Sequence, residues 1–278
     1  MVVAVIVTWN SRAEALNCLS ALGRSEAPVA RAVVVDNAST DGTVAAVRAA
    51  FPEAEVIETA RNEHFARGAN AGLRRALDVG ADWAWVLNPD ATPTPSALGE
   101  MLRVGESDER IGMVGARLVH PARAGRPARV VVGANCDFAT AGIVEPPPPE
   151  DAGLDRLRVD YLWGASLLAR ARMLREVGLF DEGFRAYFED TDLCLRAKRA
   201  GWQTVTALRA EVGHVGSQAG DRRFAEQMWL RARNWLWCFW RHAPPGLRPR
   251  VLAWMLLRRW PEMAWAAGRN VLSRRHGD

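Results

Sequence analysis

The chain opens on an unbroken apolar run, Val2 to Val7, and a run that short suits a strand buried on both faces. Thr8-Trp9-Asn10 follows. Ser11 with Glu14 has the form of a capping box, ahead of a helix carrying Leu16, Leu19 and Leu22 and stopping at Gly23. Ala32 to Val35 reads as a second buried strand. It ends in the polar turn Asp36-Asn37-Ala38-Ser39-Thr40-Asp41-Gly42-Thr43, and a helix runs from about Val44. Glu55 to Thr59 is a weaker strand leading into Arg61-Asn62. A helical pattern covers Ala66 to Val79 and closes at Gly80, and the next strand, Trp83 to Leu87, ends at Asn88-Pro89-Asp90. This alternation predicts an α/β fold, a Rossmann-like and mostly parallel mixed sheet flanked by helices. Ligands of such sheets lie at the carboxyl ends of the strands, where these polar clusters fall.

Beyond Asp90 the pattern loosens. Ser96 starts a short helix, and Ile111 to Val119 and Arg129 to Val132 read as strands. The proline run from Glu145 to Pro149 reads as a loop rather than a domain boundary, because no independent core follows it. Trp163 to Ala169 is a further strand and Ala171 to Val177 a helix. Next comes Phe180 to Trp202, which sets Asp181, Glu182, Glu189, Asp190 and Asp192 among Phe180, Phe184, Tyr187 and Phe188. From Asp190 it turns helical, with Leu193 and Ala197 on one face, Arg196, Lys198 and Arg199 at the rear, and Gly201 as a stop. A carboxylate at the mouth of such a helix, beside aromatic walls, is placed to act as a general base. An N-cap in a solvated acidic turn is the alternative. A strand near Trp202 to Ala207 and a glycine-rich loop, Gly213 to Ser217, complete this part.

Composition adds an asymmetry. The 278 residues carry a net charge of only +4, yet from Trp229 onward ten arginines face two acids, and seven of the twelve tryptophans fall there. The expectation is one α/β domain, residues 1–220, with a helical appendage, 221–278, split at Ala243-Pro244-Pro245-Gly246. Cys18, Cys136, Cys194 and Cys238 are scattered, which suits reduced thiols and a cytosolic setting and argues against structural zinc. Val2 to Val7 is short and lacks the basic lead of a signal peptide. No run reaches the ~20 apolar residues of a membrane span.

The polar clusters carry the chemistry. Asp36 and Asn37, with Thr8 and Asn10 at the neighbouring strand end, can hydrogen-bond a nucleobase edge or a ribose hydroxyl; an Asx turn with Ser39 capping the next helix is the alternative. Arg61 and Arg67 can meet phosphate. Asn70 and Gly72 either face the ligand or allow close helix-to-strand packing. Asp90 is one carboxylate at a strand tip, too few oxygens for magnesium unless a bound diphosphate supplies more. His214 offers an imidazole, which manganese accepts more readily than magnesium.

Val7-Thr8-Trp9-Asn10, Val34 to Thr43, Asn88-Pro89-Asp90-Ala91, Trp163-Gly164-Ala165-Ser166 and Phe188 to Arg196 occur in that order. Together they resemble the family 2 glycosyltransferases of the GT-A fold, particularly the bacterial rhamnosyltransferase-like branch, from about Val3 to Ser217. The resemblance implies inverting transfer of a sugar from a nucleotide diphosphate donor, dTDP-L-rhamnose first and a UDP-sugar next. It implies a nucleotide-binding half of about 1–92 and an acceptor half of about 93–220. Carried over, Thr8, Asn10, Asp36, Asn37, Arg61, Asn70, Asn88 and Asp90 would hold the nucleotide-sugar, and Trp163, Gly164, Ala165 and Glu189 would lie on the acceptor side. Asp190 matches the catalytic base. Asp90 matches the last acid of the metal-binding Asp-x-Asp, and His214 a histidine completing that site for Mg2+ or Mn2+ in some members. Asn88 departs from the pattern, standing where many members have Asp.

Arginine with dense tryptophan over residues 224–275 suits a helix lying in a lipid interface, attached more strongly by anionic lipid. The alternative is a helix packed on the domain or on a second subunit. Nucleic acid is not expected, for lack of a recognition motif. The sequence thus reads as a peripheral enzyme at the inner face of the plasma membrane, building cell-envelope polysaccharide or glycolipid on a saccharide or lipid-linked acceptor. A sugar-phosphate nucleotidyltransferase would need a glycine-rich, basic loop after the first strand, which Val7 to Arg12 does not supply. A non-catalytic relative would have no use for Asp90, Asp190 and His214 together.

Overall fold

The computed structural model describes residues 1–122, 127–149, 153–216, 224–254 and 256–257. Strands β1 (Val2–Thr8), β2 (Arg31–Asp36), β3 (Glu55–Glu58) and β4 (Trp83–Leu87) alternate with helices α1 (Arg12–Leu22), α2 (Thr43–Ala50) and α3 (His64–Asp78). There follow β5 (Ala91–Pro93), α4 (Ala97–Glu106), β6 (Ile111–His120), β7 (Arg129–Val131), β8 (Asn135–Asp137) and β9 (Gly142–Val144). The chain continues through β10 (Arg156–Arg158), β11 (Ser166–Arg170), α5 (Ala171–Val177), α6 (Glu189–Arg199) and β12 (Gln203–His214). Helices α7 (Phe224–His242) and α8 (Arg248–Trp254) come last.

The main sheet runs β10-β12-β6-β11-β4-β1-β2-β3, with β5 added to β12 and β7 to β6; β8 and β9 form a separate hairpin. β3, β2, β1 and β4 are parallel, β11 is inserted antiparallel, and β6 and β12 are parallel to each other. This is the mostly parallel mixed α/β sheet that the pattern predicts. All seven residues of β1 are buried because helices cover both faces. Val2, Ala4 and Ile6 join a core with α1 and α4, whereas Val3, Val5 and Val7 join one with α3, α5 and α6. Gly72 sets the distance between α3 and β1, since a Cβ there would meet Val5 Cγ1 at 2.3 Å. That is the close packing the sequence offered as one reading of Gly72.

Three expectations change. Ser11 opens α1 but does not cap it; its hydroxyl donates to Trp9 O, and Asp41 Oδ2 accepts from Arg12 N (3.1 Å) in its place. Nor does Ser39 cap α2, which is preceded by Gly42 in the left-handed region. The strand expected to end near Ala207 runs on through an irregularity to His214, because β5 pairs with its far end, His214 opposite Ala91. Three-residue β5 has too little pattern to be seen in sequence.

The C-terminal helix packs by one face against the sheet domain. Trp235, Cys238 and Phe239 are buried, Trp237 stacks on Phe184 with ring centroids 4.4 Å apart, and Arg241 pairs with Asp181 at 2.7 Å. The opposite face leaves Trp229 and Trp240 exposed at 55% and 42%. Ser217 and residues 258–278, with the last arginines of the basic tail, lie outside the described residues.

Candidate active site

The ends of β1 and β2 lie side by side, Thr8 opposite Asp36. Asp36 Oδ2 accepts from Ser39 N (2.8 Å), so the Asx turn is present, and Asp36 Oδ1 still has no partner. Asn10, at a positive φ of 48°, ties the same loop down by accepting from Thr40 N (2.7 Å). Asn37 is buried and donates to His64 O, which fixes the start of α3 beside the strand ends.

From β4 the chain passes to Asn88 and Asp90. β5 then draws the end of β12 across, and His214 Nε2 comes to 3.3 Å from Asp90 Oδ1 and 3.4 Å from Asn88 Nδ2. Burial is the largest single influence on Asp90 and pushes its carboxyl up, but the hydrogen bond and charge of His214 together with backbone N–H donors bring the group below the ordinary carboxylate range. His120, at the end of β6, adds a second imidazole with its ring 5.1 Å from that of His214. No sequence signal marks His120, since its closeness to His214 comes from the pairing of β6 with the long β12.

Two backbone bonds carry the site across to the acidic helix. Asn88 N donates to Ala165 O (3.1 Å), and Gly164 N donates to Asp190 Oδ2 (2.9 Å). Asp190 Oδ1 accepts from Thr191 N at 2.7 Å. Asp90 and Asp190, 100 positions apart in the chain, thus stand at the same end of the sheet. Burial is the largest influence on Asp190 and raises its pKa, against the pull of the Gly164 and Thr191 bonds. Like charge from Asp192 is not what raises it. Asp192 is fully buried and engaged by His242 (2.8 Å) and Arg196 (2.7 Å), with Arg241 at 3.4 Å. Burial pushes Asp192 up, and these partners bring it below the usual range. Glu189, also buried, is pushed well up by burial and then by the charge of Asp190.

Trp163 lies partly buried at the start of this crossing with its ring 5.4 Å from that of Tyr161, and Ala165 is buried. A Cβ at Gly164 would make ordinary contacts with Phe65 at 3.4 Å and with Asp190 Oδ2 at 3.7 Å. Two expected nucleotide contacts have side chains already engaged by protein partners. Asn70 is buried inside α3, donating to Phe180 O and Glu182 Oε1 and accepting from Phe180 N, which leaves no N–H for a ligand. Arg61 stands just beyond the end of β3, where Thr59 Oγ1 donates to its carbonyl, but its exposed guanidinium is paired with Glu63 at 2.8 Å.

Several buried polar side-chain atoms at this end of the sheet have no hydrogen-bond partner, as do Arg117 Nε, Thr204 Oγ1, His242 Nδ1 and Arg248 Nε away from the strand ends just described. Among the described residues those at this end include Thr8 Oγ1, Asp36 Oδ1, Asp90 Oδ2, His214 Nδ1 and Glu189 Oε2. Such atoms are costly in a plain core and ordinary where a polar ligand binds. No group of three or more His, Cys, Asp or Glu among the described residues can hold a metal ion. Asp90 and His214 are a two-ligand pair.

Solved structures share the fold. The solved mannosyltransferase PcManGT from Pyrobaculum calidifontis, in complex with GDP-Man and Mn2+, superposes with a TM-score of 0.63 at 17% identity, covering 100% of this chain and 76% of that one. GalNAc-T7 with UDP, GalNAc and Mn2+ gives a TM-score of 0.67 at 12% identity over 81% of this chain, which spans 45% of that protein. In sequence, the N-acetylglucosaminyl-diphospho-decaprenol L-rhamnosyltransferase of Mycobacterium tuberculosis is 29% identical over 219 residues, 71% of this chain and 70% of the relative. The low-salt glycan biosynthesis hexosyltransferase Agl10 of Haloferax volcanii is 24% identical over 197 residues, 70% of this chain and 61% of the relative. The profile described as "Glycosyltransferase like family 2" matches residues 1–235, and the chain belongs to that glycosyltransferase family.

Proposed function

We propose that the chain is an inverting glycosyltransferase that moves a sugar from a nucleotide diphosphate donor to a saccharide or lipid-linked saccharide acceptor in cell-envelope assembly. The observation that carries this is the short bridge Asn88–Ala165 and Gly164–Asp190, which joins the Asp90–His214 turn to a partly buried carboxylate of raised pKa. dTDP-L-rhamnose is the favoured donor and a UDP-sugar the next. This choice is supported by likeness to a relative named as a rhamnosyltransferase acting on a diphospho-decaprenol-linked sugar.

In this reading the strand ends of Thr8 and Asp36 take the nucleoside through their unpartnered oxygens. Asp190 Oδ accepts the proton of the acceptor hydroxyl while that oxygen attacks the anomeric carbon from the face opposite the leaving group. The bond from that carbon to the diphosphate breaks, and the nucleotide diphosphate leaves with the electron pair. One displacement inverts the configuration. A divalent cation, Mg2+ or Mn2+, would be held by Asp90 and His214, whose Oδ2 and Nδ1 are free of protein partners, with diphosphate oxygens completing its shell. It would supply charge stabilisation to the departing diphosphate. Glu189, whose pKa burial pushes well up, would donate a hydrogen bond on the acceptor side when protonated.

The enzyme would work at the cytoplasmic face of the plasma membrane, touching lipid through the outer side of α7. Among the described residues no helix is long and apolar enough to cross a membrane.

Asp190→Asn tests the assignment. Transfer should fall about 10²–10⁴-fold, the usual share of a general base, while nucleotide affinity holds. A variant that turns over at the wild-type rate removes Asp190 from its role. EDTA should suppress transfer and Mn2+ restore it; activity indifferent to EDTA removes the cation.

A further inference from the structure

The loop that delivers Glu189 and Asp190 is held in a conformation its own residues disfavour. Arg185, Tyr187 and Phe188 have positive φ values of 63°, 68° and 70°, which residues with a Cβ rarely adopt. Arg185, with ψ −67°, is the centre of a strained γ-turn, and Phe188 lies in the left-handed region. No glycine stands at these positions to relieve it. What faces the backbone there is one side chain of α7. Asn234 is fully buried, and its Nδ2 lies 2.7 Å from Phe184 O, 2.8 Å from Ala186 O and 2.9 Å from Tyr187 O. The remaining carbonyl of the run, that of Arg185, accepts from Ala66 N of α3 at 2.8 Å.

An amide nitrogen has two N–H donors, so three carbonyls share them. Carbonyls on an extended strand or a helix point in diverging or parallel directions. They converge on one nitrogen only while the chain keeps its positive-φ bends. The next residue after these bends is Glu189, then Asp190, whose Oδ2 takes its bond from Gly164 N. Arg233, the neighbour of Asn234, donates to Gly183 O and to Asn234 Oδ1, steadying the same corner.

We propose that Asn234 is a positioning residue, gathering the carbonyls of Phe184, Ala186 and Tyr187 so that the bent loop sets Asp190 against Gly164. The proposal rests on the reading of Asp190 as the base. It makes α7 a structural part of the catalytic centre. Asn234 itself, with no exposed surface, touches no substrate.

The test uses the full chain with Asn234→Ala and Asn234→Asp; the aspartate keeps the shape but offers no N–H. Amide hydrogen exchange over residues 184–192 is measured beside kcat and donor KM. Expected are faster exchange confined to that loop and about 10²-fold lower kcat, as for a reacting group displaced by about 1 Å, with KM little changed. Unaltered exchange there overturns the proposal whatever the activity, and so does a loosened loop with wild-type kcat. If either variant folds poorly, Arg185→Gly is added, because glycine removes the positive-φ penalty at one bend. Partial recovery of loop protection supports the proposal, and no recovery overturns it. Asp190→Asn, run alongside, reports separately on the base: its failure to reduce turnover would sink that assignment while the exchange data still decide Asn234.

Discussion

Glu189 and Asp190 are adjacent acids that the fold drives to different ends. Asp190 keeps both oxygens on N–H donors, whereas Glu189 Oε2 is buried without a partner. The folded-state pKa of Glu189 is raised above its unfolded value, chiefly by burial. Its contribution to stability is therefore complete below the unfolded value and lost as pH rises through the folded one. Glu189→Gln keeps the shape without the charge. It should melt higher than the wild type at about pH 8 and together with it at about pH 3, more than one unit below the ordinary glutamate value. Equal melting at both values would mean that Glu189 is ionised in the folded protein at no cost. Residues with a local signature are legible in sequence: Asp36 before its turn, Asp90 at its strand tip, Asp190 at its helix start. Asn70 is not, because the partners that engage its side chain, Phe180 and Glu182, are 110 and 112 positions away. Sequence shows that an Asn lies on a helix face but not what that face meets.

At the scale of the element, glycine content sets how closely the layers approach. Gly72 of α3 lies against Val5, and an alanine Cβ would have to displace Val5 Cγ1 from 2.3 Å. Gly72→Ala should cost about 1–3 kcal/mol, the usual penalty of an overpacked core. Gly99 of α4 has only Ala27 Cβ nearby, at 3.9 Å, and Gly99→Ala should stabilise by up to about 1 kcal/mol through helix propensity. Denaturant melts of the two variants decide it; a harmless Gly72→Ala would mean that α3 can slide on β1. Elements with their own periodicity, β1, β2, β4, α3 and α6, are readable from the hydrophobic pattern alone. The N-cap of α1 is not, because Asp41 comes from the following β2–α2 turn. Nor is the length of β12, because its last residues are held by β5. In both cases the deciding contact is long-range, and the local pattern points to a nearer partner.

For the whole molecule the question is how one C-terminal helix serves two surfaces. Its inner face carries Asn234 to the loop that precedes Asp190 and His242 to Asp192, and buries Trp235, Cys238 and Phe239. Removing α7 would therefore strip core and loop support together, and a loss of membrane binding in such a deletion would report unfolding. The outer face allows a cleaner experiment. Trp229 and Trp240 are exposed, and Arg233 lies over Trp229 at 5.2 Å while Arg248 lies over Trp240 at 5.9 Å. Tryptophan rings beside arginine fit the headgroup level of an anionic bilayer, where each arginine near the surface adds about 1 kcal/mol. Trp237 is unsuitable as a probe because it stacks on Phe184. The double variant Trp229→Ala/Trp240→Ala should retain its melting temperature, since solvent-facing substitutions usually stay within about 0.5 kcal/mol. It should sediment about tenfold less with vesicles rich in phosphatidylserine, and high salt should weaken the wild type in the same assay. Undiminished sedimentation of the double variant would place any lipid contact elsewhere on the protein. It would also leave the exposed tryptophans of α7 as the surface for a partner subunit.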